Sequence, residues 1–151
     1  MIDGIVFKEG WTYGSAKLVN GEAAKDAVVI PAEVTIGGIS MPVSVIGSYA
    51  FIANRNITSV TFSDSIGVIE NKAFDGCENL ESVKFNEGLY AIGDHAFDGT
   101  AIKEVTLPKS YVDMSCDVFP AATKFRQTSP GKFSGTSTAR NIIRLTISAI
   151  C

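Results

Sequence analysis

The segment Ile69-Glu70-Asn71-Lys72-Ala73-Phe74 recurs along the chain with its isoleucine, alanine and phenylalanine in place. The same three residue types stand 23 positions earlier, from Ile46, and 23 positions later, from Ile92. A degraded fourth copy begins at Met114, one residue early. A fixed period of about 20 to 50 residues is typical of solenoids, in which each unit stacks on its neighbours. The sequence therefore predicts a solenoid built on a 23-residue repeat.

Each copy continues, after a short polar turn, into a second recurring pattern. In the second copy this pattern is Leu80-x-x-Val83-x-Phe85, and the matching segments begin at Ile57 and Ile102. Its valine and phenylalanine alternate with polar residues, which is the period-two pattern of a strand with one buried face. We therefore expect one strand from this part of every repeat.

The recurring hexapeptide is predicted to form a short helical turn. Ile69, Ala73 and Phe74 have the i, i+4, i+5 spacing of one helix face, and Asn71 is of a residue type that caps helices. The segment is long enough for only about one or two turns. The predicted fold is thus a leucine-rich-repeat solenoid, mixed α/β and β-rich, of short strands and short helical turns.

Stacking is predicted to align equivalent apolar side chains in internal ladders. One repeat of this size cannot bury its own apolar side, so the ladders have to form between repeats. The alanine before each phenylalanine is small enough to let the turn approach the sheet. The expected ladders consist of Val60, Val83 and Val105, and of Phe51, Phe74 and Phe97.

Residues 1–45 precede the repeats of residues 46–120 and are predicted to form an N-terminal β cap. Gly4–Phe7 and Ala16–Val19 have the composition of short strands. Two alternating runs flank Gly37-Gly38, a dipeptide typical of two-residue hairpin turns. An atypical unit of this kind is expected where a solenoid has to cover its exposed end.

Residues 121–151 carry no recognisable copy of the repeat and form an atypical tail. Asn141–Cys151 alternates apolar and polar residues, so a final strand is expected. Such a strand would cap the solenoid or pair with a second copy of the chain, which would make a homo-oligomer. A sequence altered by truncation or by a change of frame is the remaining alternative.

The net charge of the chain also changes sign at residue 120. Residues 1–120 contain 8 Lys and Arg against 16 Asp and Glu, a net charge of −8, whereas residues 121–151 contain 5 basic residues and no acid. An acidic body argues against a nucleic-acid site, which needs clustered cations. No apolar run reaches the roughly 18 to 20 residues that span a bilayer, so no membrane insertion is expected. The residues after Met1 lack the pattern of a signal peptide, and a cytoplasmic location stays open.

No catalytic, metal-binding or cofactor-binding site is predicted. Cys77, Cys116 and Cys151 lack the CxxC spacing and the histidine cluster of a zinc site. His95 is interpreted as a surface residue of the helical turn, because nothing in the sequence brings a nucleophile beside it. A hydrolase is therefore only the third hypothesis for function.

The outward positions of the strand ladder form the candidate binding surface. In a solenoid such positions make an extended concave face. They are polar and of mixed charge and lack the aromatic anchors that interfaces favour, so they are either a binding site or solvated sheet. Tyr90 and Tyr111 mark a second patch on the flank. The candidate binding residues are Ser59, Thr61, Ser82, Lys84, Glu104 and Thr106.

The order Ile-Gly-x-x-Ala-Phe, a turn with Cys77 and then Leu-x-x-Val-x-Phe resembles the BspA-type, or Treponema-type, leucine-rich repeat over about residues 3–120. The resemblance implies a right-handed solenoid of a secreted or surface-anchored bacterial protein. It also implies adhesion or protein binding, with a partner of the host or extracellular-matrix type, and a buried thiol at Cys77. Asn54 stands where the family has this cysteine in the first copy.

The leading hypothesis for function is a non-enzymatic protein-interaction or adhesion module. Its alternative is a structural spacer or capping segment of a larger protein, in which the tail mediates self-association. The two hypotheses differ in whether the strand ladder or the tail makes the contacts with other molecules.

Overall fold

A computed structural model describes residues 3–108, 112–114 and 117–127, and in these residues the chain forms twelve short strands and no helix. No described residue therefore belongs to a helix that is long and apolar enough to cross a membrane. The strands are β1 (Val6–Glu9), β2 (Ala16–Asn20), β3 (Asp26–Val29), β4 (Glu33–Ile36), β5 (Ile39–Ile46), β6 (Ile57–Thr61), β7 (Val68–Ile69), β8 (Ser82–Lys84), β9 (Ala91–Ile92), β10 (Glu104–Leu107), β11 (Asp113–Met114) and β12 (Lys124–Gln127).

Two rows of strands run along the solenoid, and every repeat contributes one strand to each. Strands of neighbouring repeats pair in parallel. The first sheet has the order β1-β2-β5-β7-β9-β11, with β4 also paired to β5. The second sheet consists of β3-β6-β8, and the separate two-stranded pair β10-β12 follows it along the solenoid. The Ala101 N–H, before β10, donates to the Leu80 carbonyl, before β8, at 2.9 Å. In the first sheet Ile46, Ile69 and Ile92 are direct partners, so the period of the sequence is the step from strand to strand.

The core contains a continuous stack of phenylalanine rings, as the sequence predicts. Phe51, Phe74 and Phe97 are fully buried, and their ring centroids are 4.7 and 5.0 Å apart with nearly parallel planes. Phe119 extends the stack by a further 5.1 Å. Each repeat thus adds one ring to a column that runs along the solenoid. The predicted valine ladder is confirmed for Val60 and Val83, which are direct partners, and Val105 is buried in the same core.

The recurring hexapeptide forms a left-handed turn and not the predicted helical turn. In all four copies its fourth residue has a positive φ, between 50° and 61°. In this conformation the N–H groups of Lys72 and Phe74 donate to the carbonyls of Asp94 and Ala96 in the next repeat, at 2.8 and 2.7 Å. An α-helix would keep these hydrogen bonds within its own segment. The left-handed residues are Tyr49, Lys72, His95 and Asp117.

The N-terminal part contains the hairpin predicted at Gly37-Gly38 and a second hairpin formed by β1 and β2. β1 pairs with β2 in antiparallel orientation, and β4 pairs with β5 across Gly37 and Gly38. Both glycines have positive φ, 58° and 84°, which is the conformation of a type I′ turn. The second half of β5 then pairs in parallel with β2 and β7, so the cap and the first repeat share one sheet. The division of the chain at residues 45 and 120 stays a prediction.

β12 continues the second row of strands beyond residue 120, where the sequence analysis predicts no further copy of the repeat. It pairs in parallel with β10, and Glu104 lies opposite Lys124. The step between the two strands is 20 residues instead of 23, and this change of period hides the repeat. Tyr111, Cys116 and the predicted strand Asn141–Cys151 lie outside the described residues.

Candidate interaction surfaces

The predicted binding residues lie side by side on the outer face of the second sheet. β6 and β8 pair so that Ser59 is opposite Ser82 and Thr61 is opposite Lys84, and β10 follows β8. The valines between these residues belong to the core. The role of the polar residues in binding stays a prediction. This strand row consists of two half-buried residues, Ser59 and Thr61, and four exposed ones, Ser82, Lys84, Glu104 and Thr106.

A groove of about 290 Å³ crosses the outer face of the first sheet, and the sequence analysis does not indicate it. Val68 and Ala91 lie side by side on its floor, and Asp113 continues the same row on β11. Trp11, from the loop between β1 and β2, stands at the opposite end of the groove. We call this site the Trp11 groove. Its aromatic and polar walls are formed by Trp11, Ser48, Glu70, Asn71 and Asp113.

A largely buried ion pair forms the wall beneath Trp11. Lys17 Nζ lies 2.8 Å from the Glu70 carboxylate and 4.6 Å from the centroid of the Trp11 ring, which is a cation–π geometry. Glu70 also accepts hydrogen bonds from the N–H and the hydroxyl of Ser48, at 2.8 and 3.0 Å. The side chains of Lys17 and Glu70 are only 18% and 10% exposed, so the two charges compensate each other inside the wall. Trp11 itself remains 78% exposed.

The loop that carries Trp11 is closed by its own hydrogen bonds. The Gly10 N–H donates to the Ser15 carbonyl at 2.7 Å. The N–H and the hydroxyl of Ser15 both donate to the Thr12 carbonyl, at 3.0 and 2.8 Å. Tyr13, within the loop, is fully exposed. Two aromatic side chains are thus held on an internally bonded loop, and aromatic residues are the anchors that interfaces favour.

Two equivalent turn positions, Asn54 and Cys77, join each unit to the one before it. The Cys77 thiol is buried, as the family resemblance implies, and it donates to the Phe51 carbonyl at 2.9 Å. Asn54 Nδ2 donates to the carbonyls of Gly21 and Ala24 in the cap, at 2.8 and 2.9 Å. An amide with two N–H donors suits the first repeat, because its neighbour is the irregular cap and not another repeat.

His95 and Cys77 occupy different environments. The His95 imidazole lies beside Asp98, with 3.4 Å between Nδ1 and Oδ2, and more than a third of the side chain is exposed. Cys77 lies inside the core, where solvent does not reach it. Within residues 3–108, 112–114 and 117–127, no three His, Cys, Asp or Glu side chains are grouped so that they could hold a metal ion.

Burial raises the pKa of the Cys77 thiol from 9.0 to about 12; the charge of Asp75 adds to the rise, and a hydrogen bond with the Asn54 backbone opposes it. The unfolded thiol ionises near 9.0, so its contribution to stability is complete below that pH and is lost as the pH rises towards 12. In a Cys116→Ser/Cys151→Ser variant we expect urea unfolding to show falling stability above pH 9.0. The fall should be smaller after the further substitution Cys77→Ala.

The same burial predicts that Cys77 is chemically inert in the folded chain, because the reactive species is the exposed thiolate. In the Cys116→Ser/Cys151→Ser variant, Ellman's reagent near neutral pH is expected to label the thiol only after urea is added. The variant that also carries Cys77→Ala has no cysteine and serves as the control. Rapid labelling of the folded protein would contradict the buried position.

The repeat matches a known family of solenoid proteins. The model of the BspA type leucine-rich repeat region matches residues 40–140 with six copies, and so reaches past residue 120. Among solved structures, a leucine-rich repeat protein from Bacteroides capillosus is 33% identical to this chain. The likeness covers 85% of this chain and 97% of that one, with a TM-score of 0.76.

Two further solved structures share the fold at lower identity. A leucine-rich repeat protein of T. pallidum is 23% identical, with 84% of this chain and 63% of that chain covered and a TM-score of 0.68. One from Bacteroides ovatus is 21% identical, with 84% and 40% covered and a TM-score of 0.60. No curated protein matches the sequence. The repeat, its stacked core and these likenesses agree: the chain belongs to the BspA type leucine-rich repeat family.

Proposed function

We propose that this chain is a non-enzymatic protein-binding module and that the strand row is its binding face. The observation that carries the proposal is the register of the second sheet, which brings polar residues of successive repeats into one row. A surface assembled from neighbouring repeats is extended and suits a protein partner. Membership of a leucine-rich-repeat family supports the same interpretation.

Lys84 and Glu104 give the strand row its charges. Both are exposed, and they stand on the neighbouring strands β8 and β10. Opposite charges on one face select a partner with the complementary arrangement and fix its orientation. The hydroxyl groups of the row add hydrogen-bonding capacity without charge. We therefore propose a partner with a polar, mixed-charge surface, of the host or extracellular-matrix type.

Replacing Lys84 and Glu104 together by alanine is expected to weaken binding by more than about tenfold, since each hydrogen bond to a charged group contributes about 1.5–3 kcal/mol. The full chain is first tested by surface plasmon resonance against a panel of immobilised extracellular-matrix proteins. The double variant is then measured on each protein that binds. Lys25→Ala combined with Glu22→Ala, at two exposed cap residues, is the control of equal charge change. Unchanged affinity of the double variant would refute the assignment of this face.

We also propose a secreted or surface location, and the support for it is the membership of this bacterial repeat family. Self-association through residues 121–151 stays a prediction. The same holds for the expectation, from the acidic body, that nucleic acids are not partners.

A further inference from the structure

The Trp11 groove has the length of a short extended peptide. From β5, next to Ser48, to β11, the first sheet advances by three strand spacings, about 14 Å. Five residues of extended chain span about the same distance from the first Cα to the last. The first, third and fifth side chains of such a segment point to the same side. A segment lying across the strands would therefore direct three side chains to Trp11, Ala91 and Asp113.

The two ends of the groove favour guanidinium groups. The exposed ring of Trp11 is a surface on which a planar guanidinium stacks. Asp113 is exposed and has no ion-pair partner in the described part of the chain, so its carboxylate is available to an arginine. Lys17 does not neutralise this end, because its charge is taken up by Glu70. The floor around Ala91 suits an aliphatic side chain.

One segment of this chain has the required pattern. Arg140-Asn141-Ile142-Ile143-Arg144 places two arginines four positions apart, with Ile142 midway between them. The 12 residues between Gln127 and Arg140 allow these two residues to lie up to about 45 Å apart when the chain is extended. The charges are complementary, since residues 1–120 carry −8 and residues 121–151 carry +5.

We propose that the Trp11 groove binds the segment Arg140–Arg144 of the same chain. One arginine stacks on Trp11, Ile142 covers Ala91, and the other arginine pairs with Asp113. The tether gives the segment an effective concentration on the order of millimolar, so a modest intrinsic affinity is enough. The groove is thus a binding site that is occupied by a segment of its own chain. It lies on the first sheet, so it is independent of the strand row and does not rest on the function proposed for that row.

Quenching of tryptophan fluorescence by acrylamide tests the contact, because Trp11 is the only tryptophan of the chain. In the full chain carrying Arg140→Gln and Arg144→Gln, the quenching constant is expected to rise above that of the unaltered protein, as the ring loses its cover. Asp113→Asn is expected to raise it as well. Two matched controls, Lys132→Gln in the tail and Asp64→Asn at an exposed carboxylate after β6, are expected to leave it unchanged.

A synthetic peptide tests the chemistry of the site directly. Acetyl-Arg-Asn-Ile-Ile-Arg-amide, titrated into the Arg140→Gln/Arg144→Gln chain, is expected to shift the tryptophan emission and to saturate. Adding Asp113→Asn to this chain should lower the affinity for the peptide by about tenfold or more, because a charge-assisted hydrogen bond is lost. Adding Asp64→Asn should not. The same peptide with both arginines replaced by glutamate is expected not to bind.

Four results would overturn the proposal. The first is equal quenching in the unaltered chain and in the Arg140→Gln/Arg144→Gln chain. The second is an equal effect of Asp113→Asn and Asp64→Asn, which would mean diffuse charge and not a site. The third is a quenching constant of the unaltered protein that rises on dilution, which would mean that the contact forms between two copies of the chain. The fourth is saturable binding of a hexamer of N-acetylglucosamine in place of the peptide, which would make the groove a glycan site.

Discussion

Replacing Phe74 by alanine is expected to lower the free energy of unfolding by about 3–5 kcal/mol. The ring lies between those of Phe51 and Phe97, at centroid distances of 4.7 and 5.0 Å. Its removal loses the burial of the ring and the stacking on both sides. The cavity that remains is hard to close, because hydrogen bonds between neighbouring repeats hold the turns on either side in place, such as that from the Phe74 N–H to the Ala96 carbonyl at 2.7 Å. The loss therefore falls on two repeat interfaces at once.

Urea denaturation of the full chain, followed by circular dichroism, measures this loss. Ile52→Ala is a matched control, because Ile52 follows Phe51 in the same kind of turn but is 46% exposed. Its substitution is expected to change the free energy of unfolding by less than about 0.5 kcal/mol. A loss below about 1 kcal/mol for Phe74→Ala would be incompatible with a continuous stacked core.

The features of the fold that recur in every unit could be predicted from the sequence. A solenoid buries Phe74 only if its neighbours present the same side chain at the same place, so the core appears in the sequence as a period. The turn around Lys72 could not be predicted correctly. A left-handed turn that buries Ala73 and Phe74 produces the same apolar pattern as one face of a helix, and the burial pattern alone does not tell the two apart.

Contacts that occur only once leave no period in the sequence. Lys17 meets Glu70 from 53 positions away. Glu70 stands where the neighbouring repeats have Gly47 and Gly93, so the repeat pattern gives no sign of its partner. The strand row could be located because it belongs to every repeat. The Trp11 groove could not, because it depends on one loop of the cap that folds over the first sheet.

The junction between the cap and the first repeat combines several of these single contacts. β2 pairs with the second half of β5, and the ion pair of Lys17 and Glu70 links the cap to β7. Asn54 adds hydrogen bonds to the cap from the side of the turns. The cap is thus held at three places: the first sheet, the pairing of β3 with β6, and the turn column, where Asn54 acts beside the hydrogen bond from the Gly21 N–H to the Ala50 carbonyl at 2.7 Å.

Asn54→Ala is expected to lower the free energy of unfolding by about 2–4 kcal/mol, because buried polar groups lose their partner. Asn54 is only 5% exposed. Its Nδ2 donates to the carbonyls of Gly21 and Ala24, at 2.8 and 2.9 Å, and its Oδ1 accepts from the Asn56 N–H at 2.8 Å. Alanine can make none of these bonds.

Asn54→Cys tests whether the number of donors decides the effect. Cysteine occupies the equivalent position of the second repeat, but a thiol offers only one weak donor. The free energy of unfolding of Asn54→Cys is therefore expected to lie between that of the native chain and that of Asn54→Ala. Asn79→Ala is the matched control, since the Asn79 amide donates to the Arg55 carbonyl at 2.7 Å on the exposed surface; its effect should stay within about 0.5 kcal/mol. Urea unfolding of the four proteins ranks them. If Asn54→Ala is no less stable than Asn79→Ala, this side chain does not hold the cap to the first repeat.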